Sequence, residues 1–313
     1  MSVAVSLTLS IVNTNNRDLL RHCLRSVRDT VLSTRHEVIV VDNASDDGSA
    51  EMVELEFPEC RLIRLAQREG YGASHNHAIA RAAGKYVLIL NEDMEMLPGA
   101  IDTMMAKAEA IPDLGVLGCR ILNADRSLQH SCFRFPTLAS ELFEALFPYT
   151  LVRPECRLRS KMYEWGHDEA RDVDVVVGCC MLAPRHVLEQ VGRFDTAFFV
   201  YSEEHDLCKR VHDAGLRVVF TPDAEMIHFG GQTSKHMSLR MALVQLDSRT
   251  RFFRKHHGAH RALAFRVIVL LGVALRGFGW GLLRLARGPR DDAAAAKLTE
   301  YRESFKFLAS WKP

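Results

Sequence analysis

Residues 37–48 read Glu37-Val38-Ile39-Val40-Val41-Asp42-Asn43-Ala44-Ser45-Asp46-Asp47-Gly48, an apolar, β-branched run that ends on a carboxylate and passes into a polar turn. Four apolar residues without alternation fit a strand buried on both faces, which helices must cover from either side. Helical spacing over 49–57 follows the turn, so a strand, a polar loop and a helix succeed one another here.

Working outward, the same unit recurs. Upstream, residues 7–12 form a second apolar run, and 17–31 places Leu20, Cys23, Leu24, Val27 and Val31 on one helical stripe. Downstream, strands are predicted at 61–65, 86–90 and 116–119, with helices at 74–83 and 100–110. Between 123 and 172 the periodicity weakens around Pro136, Pro148 and Pro154, as in an insertion. The pattern then resumes with a strand at 173–177, helices at 185–191 and from Glu203, and a strand at 216–221. This order predicts an α/β fold: a mostly parallel, Rossmann-like sheet with helices on both faces. Beyond 231 the chain turns to helices rich in Arg and Leu, which predicts a division into 1–230 and 231–313.

At 313 residues and 48% hydrophobic content the chain can bury a large core. Its net charge of +1, from 40 basic and 39 acidic side chains, argues against nucleic acid as a partner. The charge is unevenly placed, because residues 248–290 hold ten Lys or Arg and no Asp or Glu. Eight cysteines without a C-x-x-C pair, and no signal-peptide pattern at the start, fit reduced thiols in the cytoplasm. The adjacent Cys179 and Cys180 read as small core hydrophobes. Residues 262–285 are apolar but punctuated by Arg266, Arg276 and Arg284, and the longest uncharged run, 267–275, is shorter than the ~20 residues that span a bilayer. The expectation is an amphipathic segment lying on anionic lipid. A helix packed on the rest of the chain, or on a second copy in a homodimer, is the alternative use of the same face.

In α/β sheets ligands gather at the carboxyl ends of strands. Three strands end in polar residues: Asn13-Thr14-Asn15, Asp42, and Asn91-Glu92-Asp93. Each alone is a common turn former. Together they are less easily dismissed, and two or three oxygens of Asn91-Glu92-Asp93 could hold a hard cation, Mg²⁺ or Mn²⁺, with diphosphate oxygens completing its shell. A second acidic cluster, Tyr201-Ser202-Glu203-Glu204-His205-Asp206, is either a capped helix start with acids on its dipole or the seat of a general base. His228, following a strand, is a further candidate metal ligand. Gly70-Tyr71-Gly72 fails as a dinucleotide fingerprint because His75 stands where its third glycine should, and there is no Walker A sequence or G-x-S-x-G elbow.

Over about residues 5–235 the chain resembles the inverting family 2 glycosyltransferases of the GT-A fold, and among them the rhamnosyltransferase-like branch of O-antigen and cell-wall polysaccharide synthesis. The resemblance rests on an ordered set: Ser10 to Asn15, Val40 to Ser45, Gly70 to Asn76, Leu90 to Asp93, Arg134-Phe135-Pro136-Thr137, Gly178, Gly192-Arg193-Phe194-Asp195, Tyr201 to Cys208, and His228-Phe229-Gly230-Gly231. It implies a nucleotide-sugar half up to about 120 and an acceptor half over 121–230. Asn13, Asn15 and Asp42 would hold the nucleoside, Asp42 facing a pyrimidine, with Gly72, Asn76 and Asn91 completing the nucleotide site. Asp93 would be the principal metal ligand, joined by Asn91 and His228. Glu204 stands where the family's base is found, with Glu203 and Asp206 supporting it or replacing it. Arg134, Gly178 and Trp165 would face the sugars.

The implied reaction transfers a sugar, rhamnose from dTDP-rhamnose or another dTDP- or UDP-sugar, to a lipid-linked or cell-surface glycan such as a polyprenyl-diphosphate carrier. A cytoplasmic enzyme, peripheral at the inner face of the cell membrane, suits that acceptor. Three departures stand out: Glu92 replaces a usual proline, Glu204 a usual Asp, and Thr14 a common aromatic. They motivate the alternative of an inactive glycan-binding scaffold. A nucleotidyltransferase would need a basic phosphate loop near the first strand, where only Arg17 stands.

Overall fold

The computed structural model describes residues 5–31, 33–147, 156, 160–230, 239–287 and 292–310. Pro148, Pro154, Gly231 and Arg290, singled out in the sequence, lie outside them. In chain order the elements are β1 (Leu7–Asn13), α1 (Arg17–Thr30), β2 (His36–Asp42), α2 (Ser49–Glu56), β3 (Arg61–Arg64), α3 (Tyr71–Ile79), β4 (Tyr86–Asn91), β5 (Met94–Met96), α4 (Ala100–Ala110), β6 (Leu114–Leu122), β7 (Leu128–Gln129) and β8 (Cys132–Phe133). There follow α5 (Leu138–Leu146), β9 (Arg171–Asp172), β10 (Val175–Val176), β11 (Cys180–Pro184), α6 (Arg185–Gln190), α7 (Glu203–Asp213), β12 (Arg217–His228), α8 (Leu239–His257), α9 (Ala259–Arg287) and α10 (Asp292–Ser310).

The chain forms two compact units, one of Met1–Phe135 with Trp165–Lys235, the other of Pro136–Glu164 with His236–Pro313. The first is built on a mixed sheet ordered β3-β2-β1-β4-β11-β6-β12-β5, with β7 on β6 and β9 on β12. Strands β3, β2, β1 and β4 are parallel, as the apolar runs of β1, β2 and β4 predict, and every residue of β1 is buried. β11 then enters antiparallel between β4 and β6. The pattern predicts no strand there, only a helix from Arg185, because Cys180–Pro184 is too short to show a period. The sheet is therefore mixed rather than nearly all parallel.

Register fixes the ligand end of the sheet. Asn13 lies opposite Asp42, and Asn91 lies beside Val12, so the polar ends of β1, β2 and β4 open at one edge. The strand order reverses between β1 and β4, the place where open α/β sheets leave a crevice. β12 runs further than the strand predicted at 216–221 and carries His228 as its last residue, paired with Met94 of β5. The Glu92-Asp93 turn is thereby tied down at both ends.

The second unit takes in the segment 136–164, which the division at 231 had left with the sheet. The cause is apolar: Leu138 of α5 packs with Phe253, Ala262, Phe265 and Val269 of α8 and α9. A Cβ on Gly272 would sit 2.9 Å from Cβ of Ala145, so α5 and α9 approach closely only because Gly272 lacks one. Thr137 and Ser140 close a reciprocal cap on α5. Helix α9 is continuous through the three arginines, and Ala259–Ala286 is long and apolar enough to cross a membrane by length and composition. Charge spacing alone had placed it below that length.

Candidate active site

The end of β1 is a hydrogen-bonded mesh. Asn13 Nδ2 donates to Ser45 Oγ (3.1 Å) and faces Asp42 Oδ1 (3.4 Å), while the Ser45 amide donates to Asp42 Oδ2 (3.1 Å). Asn15 accepts the Asp46 amide on Oδ1 and donates its own amide to Ser45 Oγ, holding a left-handed backbone at φ 55°. Asn13 is fully buried; its Nδ2 holds the Asp42 carboxylate, while its Oδ1 has no hydrogen-bond partner. Beside this mesh opens a cavity of about 380 Å³ lined by Asn15, Asn16, Arg17, Asp18, Leu19 and Asp47.

Gly72 and Asn76 both meet Phe194. A Cβ on Gly72 would meet the Phe194 side chain at 2.7 Å, and the Asn76 amide donates to Phe194 O (2.8 Å) and accepts from Phe194 N (3.1 Å). Both therefore help to hold the 192–195 loop.

At the end of β4 the three residues diverge. Asn91 Oδ1 lies 2.9 Å from the Tyr71 hydroxyl, which also lies 2.8 Å from the Gly178 carbonyl oxygen and can donate to either. Glu92 accepts from Asn16 Nδ2 (2.5 Å); burial first, then the Asp93 carboxylate, pushes it up to about 7. Asp93 Oδ1 is buried and 3.1 Å from His228 Nε2, yet without hydrogen-bond alignment to it or any other partner. Burial disfavours charge on His228, but Cys179 and then Asp93 outweigh it and push the ring up to about 11.

His228 is oriented from behind. Its Nδ1 lies 2.7 Å from Gln129 Oε1, and the Gln129 amide nitrogen donates to Asn123 Oδ1 (2.9 Å), which fixes which end of the amide meets the ring. Nδ1 therefore carries a proton, and in the neutral ring the Nε2 lone pair points to Asp93. Gln129 lies in the weakly periodic stretch after 123, where nothing in the sequence marks it. Among the described residues no group of three or more His, Cys, Asp or Glu side chains could hold a metal ion. Asp93 and His228 are two protein donors, and the orphaned Asp93 oxygen fits a cation whose other ligands come from a phosphate.

The acidic helix lies close by. A Cβ on Gly178 would sit 3.7 Å from Cβ of Glu204 and 3.8 Å from the Tyr71 ring, so Gly178 separates Glu204 from Tyr71. Glu204 Oε1 is 3.2 Å from His205 Nδ1, and the His205 ring packs on Phe133, one residue before half-buried Arg134. Glu203 is buried with Oε2 unpartnered; burial, then Glu204, holds it well above the usual carboxylate range. Asp206 is fully buried in an ion pair with Arg210 (2.8 Å), which also donates to the carbonyls of Val191 and Arg193. That pair is a staple and leaves Asp206 unsuited to proton transfer.

Ser202 makes no side-chain cap, contrary to its plainer reading, and both Tyr201 (φ 68°) and Ser202 (φ 65°) hold left-handed backbone. Consecutive strained residues before a buried acidic turn mark a functional segment. Trp165 is placed elsewhere. It is buried, stacked on His167 at 4.3 Å and edge-on to Phe220, with the Arg171 guanidinium over its ring, so it offers no face to a sugar.

A mixed α/β sheet whose switch point carries Asp42, Asn91 and Asp93, with an acidic helix beyond, defines the GT-A class of glycosyltransferase. The mannosyltransferase PcManGT of Pyrobaculum calidifontis, solved with GDP-Man and Mn²⁺, superposes with a TM-score of 0.56 at 18% identity, covering 98% of this chain and 85% of that one. At that identity the likeness speaks for the fold. The model of the glycosyl transferase family 2 matches residues 8–192, and the chain belongs to that family. An N-acetylglucosaminyl-diphospho-decaprenol L-rhamnosyltransferase of Mycobacterium tuberculosis is 30% identical over 227 residues, 66% of this chain and 71% of the relative. An O-antigen biosynthesis protein of Myxococcus xanthus, RfbC, is 29% identical over 215 residues, 67% of this chain and 16% of that protein. The chain is a glycosyltransferase of the rhamnosyltransferase-like kind.

Proposed function

We propose that this enzyme transfers rhamnose from a dTDP- or UDP-linked donor to a polyprenyl-diphosphate-linked glycan at the cytoplasmic face of the membrane, in one displacement that inverts the anomeric carbon. The mycobacterial relative, named for rhamnose transfer to a diphospho-decaprenol, supports both the sugar and the carrier. The observation that carries the reading is the short path from Asn91 through the Tyr71 hydroxyl to Gly178 and Glu204, which couples the donor end of the sheet to the acidic helix.

Asp42, an acceptor fixed by Asn13 and the Ser45 amide, matches the ring N–H of a uracil or thymine. Asp93 and His228, with Asn91 beside them, would hold Mg²⁺ or Mn²⁺, whose charge offsets that of the departing nucleoside diphosphate. Glu204 removes the acceptor hydroxyl proton as that oxygen attacks. Burial of Glu203 beside Glu204 disfavours a second negative charge there, and Asp206 anchors the helix through Arg210.

Glu204→Gln keeps the side chain's size and removes its basicity. Transfer should fall by about 10²-fold or more while donor binding changes little. Sugar transfer and nucleotide titration with Mn²⁺, run side by side, check this. Near-normal transfer would remove Glu204 from the role of base.

A further inference from the structure

Helix α9 exposes Leu263, Val267, Leu271, Leu275, Phe278, Leu282 and Leu285, spaced by three or four residues along its length. Such spacing keeps them on one face, and over 22 residues at about 1.5 Å each the stripe runs ~33 Å. Scattered single apolar residues on a surface are ordinary; a continuous stripe marks a docking face. Two of the arginines that interrupt the helix are engaged by its neighbours. Arg266 donates to the Leu308 carbonyl and Arg276 to that of Glu144, each in the last turn of a neighbouring helix, where backbone carbonyls lack helical partners.

The neighbours decide between lying in a membrane and crossing it. α9 packs against α5, α8 and α10. On α10 the pairs Lys297–Glu300 and Lys306–Glu303 are solvent-exposed, and Arg254 and Lys255 are exposed on α8. Charges on helices alongside α9 would have to enter hydrocarbon if α9 spanned it.

We propose that α9 lies in the membrane interface, its Leu263-to-Leu285 stripe sunk among acyl chains, with cations of α8 and of the α9 start, Arg254, Lys255 and Arg261, meeting anionic headgroups. The wholly cationic charge of 248–290 selects a lipid surface over a second copy of the same basic segment, which would repel it. The inference deepens the reading of a lipid-linked acceptor and rests on it only for its purpose.

The test is flotation of the full chain with phosphatidylglycerol-containing and with phosphatidylcholine vesicles. The intact protein should float with the former and be released by alkaline carbonate. The Val267→Gln/Leu271→Gln/Leu275→Gln variant should lose about tenfold or more of its partition, since Gln keeps helix propensity but not apolar surface. Leu285→Gln, at an 83% exposed position that cannot disturb packing, should weaken partition even if the triple variant misfolds. Unchanged flotation of both variants, resistance to carbonate, or a lipid-free dimer that the triple variant turns into a monomer would each overturn the proposal. Transfer to a water-soluble acceptor, measured without vesicles, reports separately on the catalytic reading.

Discussion

The Tyr71 hydroxyl lies between the Asn91 side chain and the Gly178 carbonyl, and with the Asn91 amide, which donates to the Cys179 carbonyl, it ties the end of β4 to the turn before β11. Tyr71→Phe would take the single hydroxyl proton from whichever of the two half-buried acceptors it serves, at a cost of about 1–3 kcal/mol. Urea denaturation should show that loss, and transfer should slow more than donor affinity weakens. Unaltered kcat with the full stability loss would make Tyr71 purely structural. Glu203 carries a pH signature. Its folded pKa stands above the ordinary 4.5, so the native state holds that proton more tightly than the unfolded chain does. Stability is therefore greatest at acid pH on this account and falls as pH rises from about 4.5 toward the folded value, then levels off. Glu203→Gln should remove that decline, making the variant progressively more stable than the parent above about pH 4.5. Parallel stability curves would mean that Glu203 ionises normally.

At the scale of elements, the loop before α7 depends on a glycine in another segment. A Cβ on Gly70 would lie 2.5 Å from the Phe199 carbonyl oxygen and 2.8 Å from its Cα, and backbone atoms cannot swing aside. The Tyr71 amide also donates to that carbonyl (2.7 Å), so α3 and the strained Tyr201-Ser202 turn are docked together. Gly70→Ala should cost about 1–3 kcal/mol and displace Glu204, lowering transfer as well as the melting temperature. An Ala variant with native stability and activity would show that the loop is free to move. The sequence made part of this legible. Apolar runs ending in Asp42 and Asn91 marked strands and site at once, because burial on both faces and a polar end are both local properties. β11 and the Gln129 support of His228 were not legible: the one is a five-residue run without a period, the other a contact across 99 residues. Trp165 was misplaced because an aromatic near a site looks the same in sequence whether its face is open or stacked.

At the scale of the whole molecule, the cationic segment sets the charge of everything else. Of 40 basic side chains ten lie in 248–290, so the remaining 30 face all 39 acids, and the rest of the chain is anionic. An anionic sheet unit would be repelled by an anionic membrane, and the α8 and α9 cations offset that repulsion where they stand. On the proposed lipid docking, two forces of different salt dependence would hold the enzyme to lipid. Headgroup attraction fades as the Debye length shrinks from about 8 Å at 0.15 M to about 3 Å at 1 M ionic strength, whereas burial of the α9 stripe does not. Partition onto phosphatidylglycerol vesicles should accordingly fall as salt rises and settle at a residual level, equal to the salt-independent level on phosphatidylcholine. Adding the three Gln substitutions on α9 should abolish the residual level and leave the salt-sensitive part. Vesicle flotation across that salt range separates the two contributions. Equal, salt-independent binding to both lipids would mean that the basic segment does not read membrane charge and that the apolar stripe acts alone.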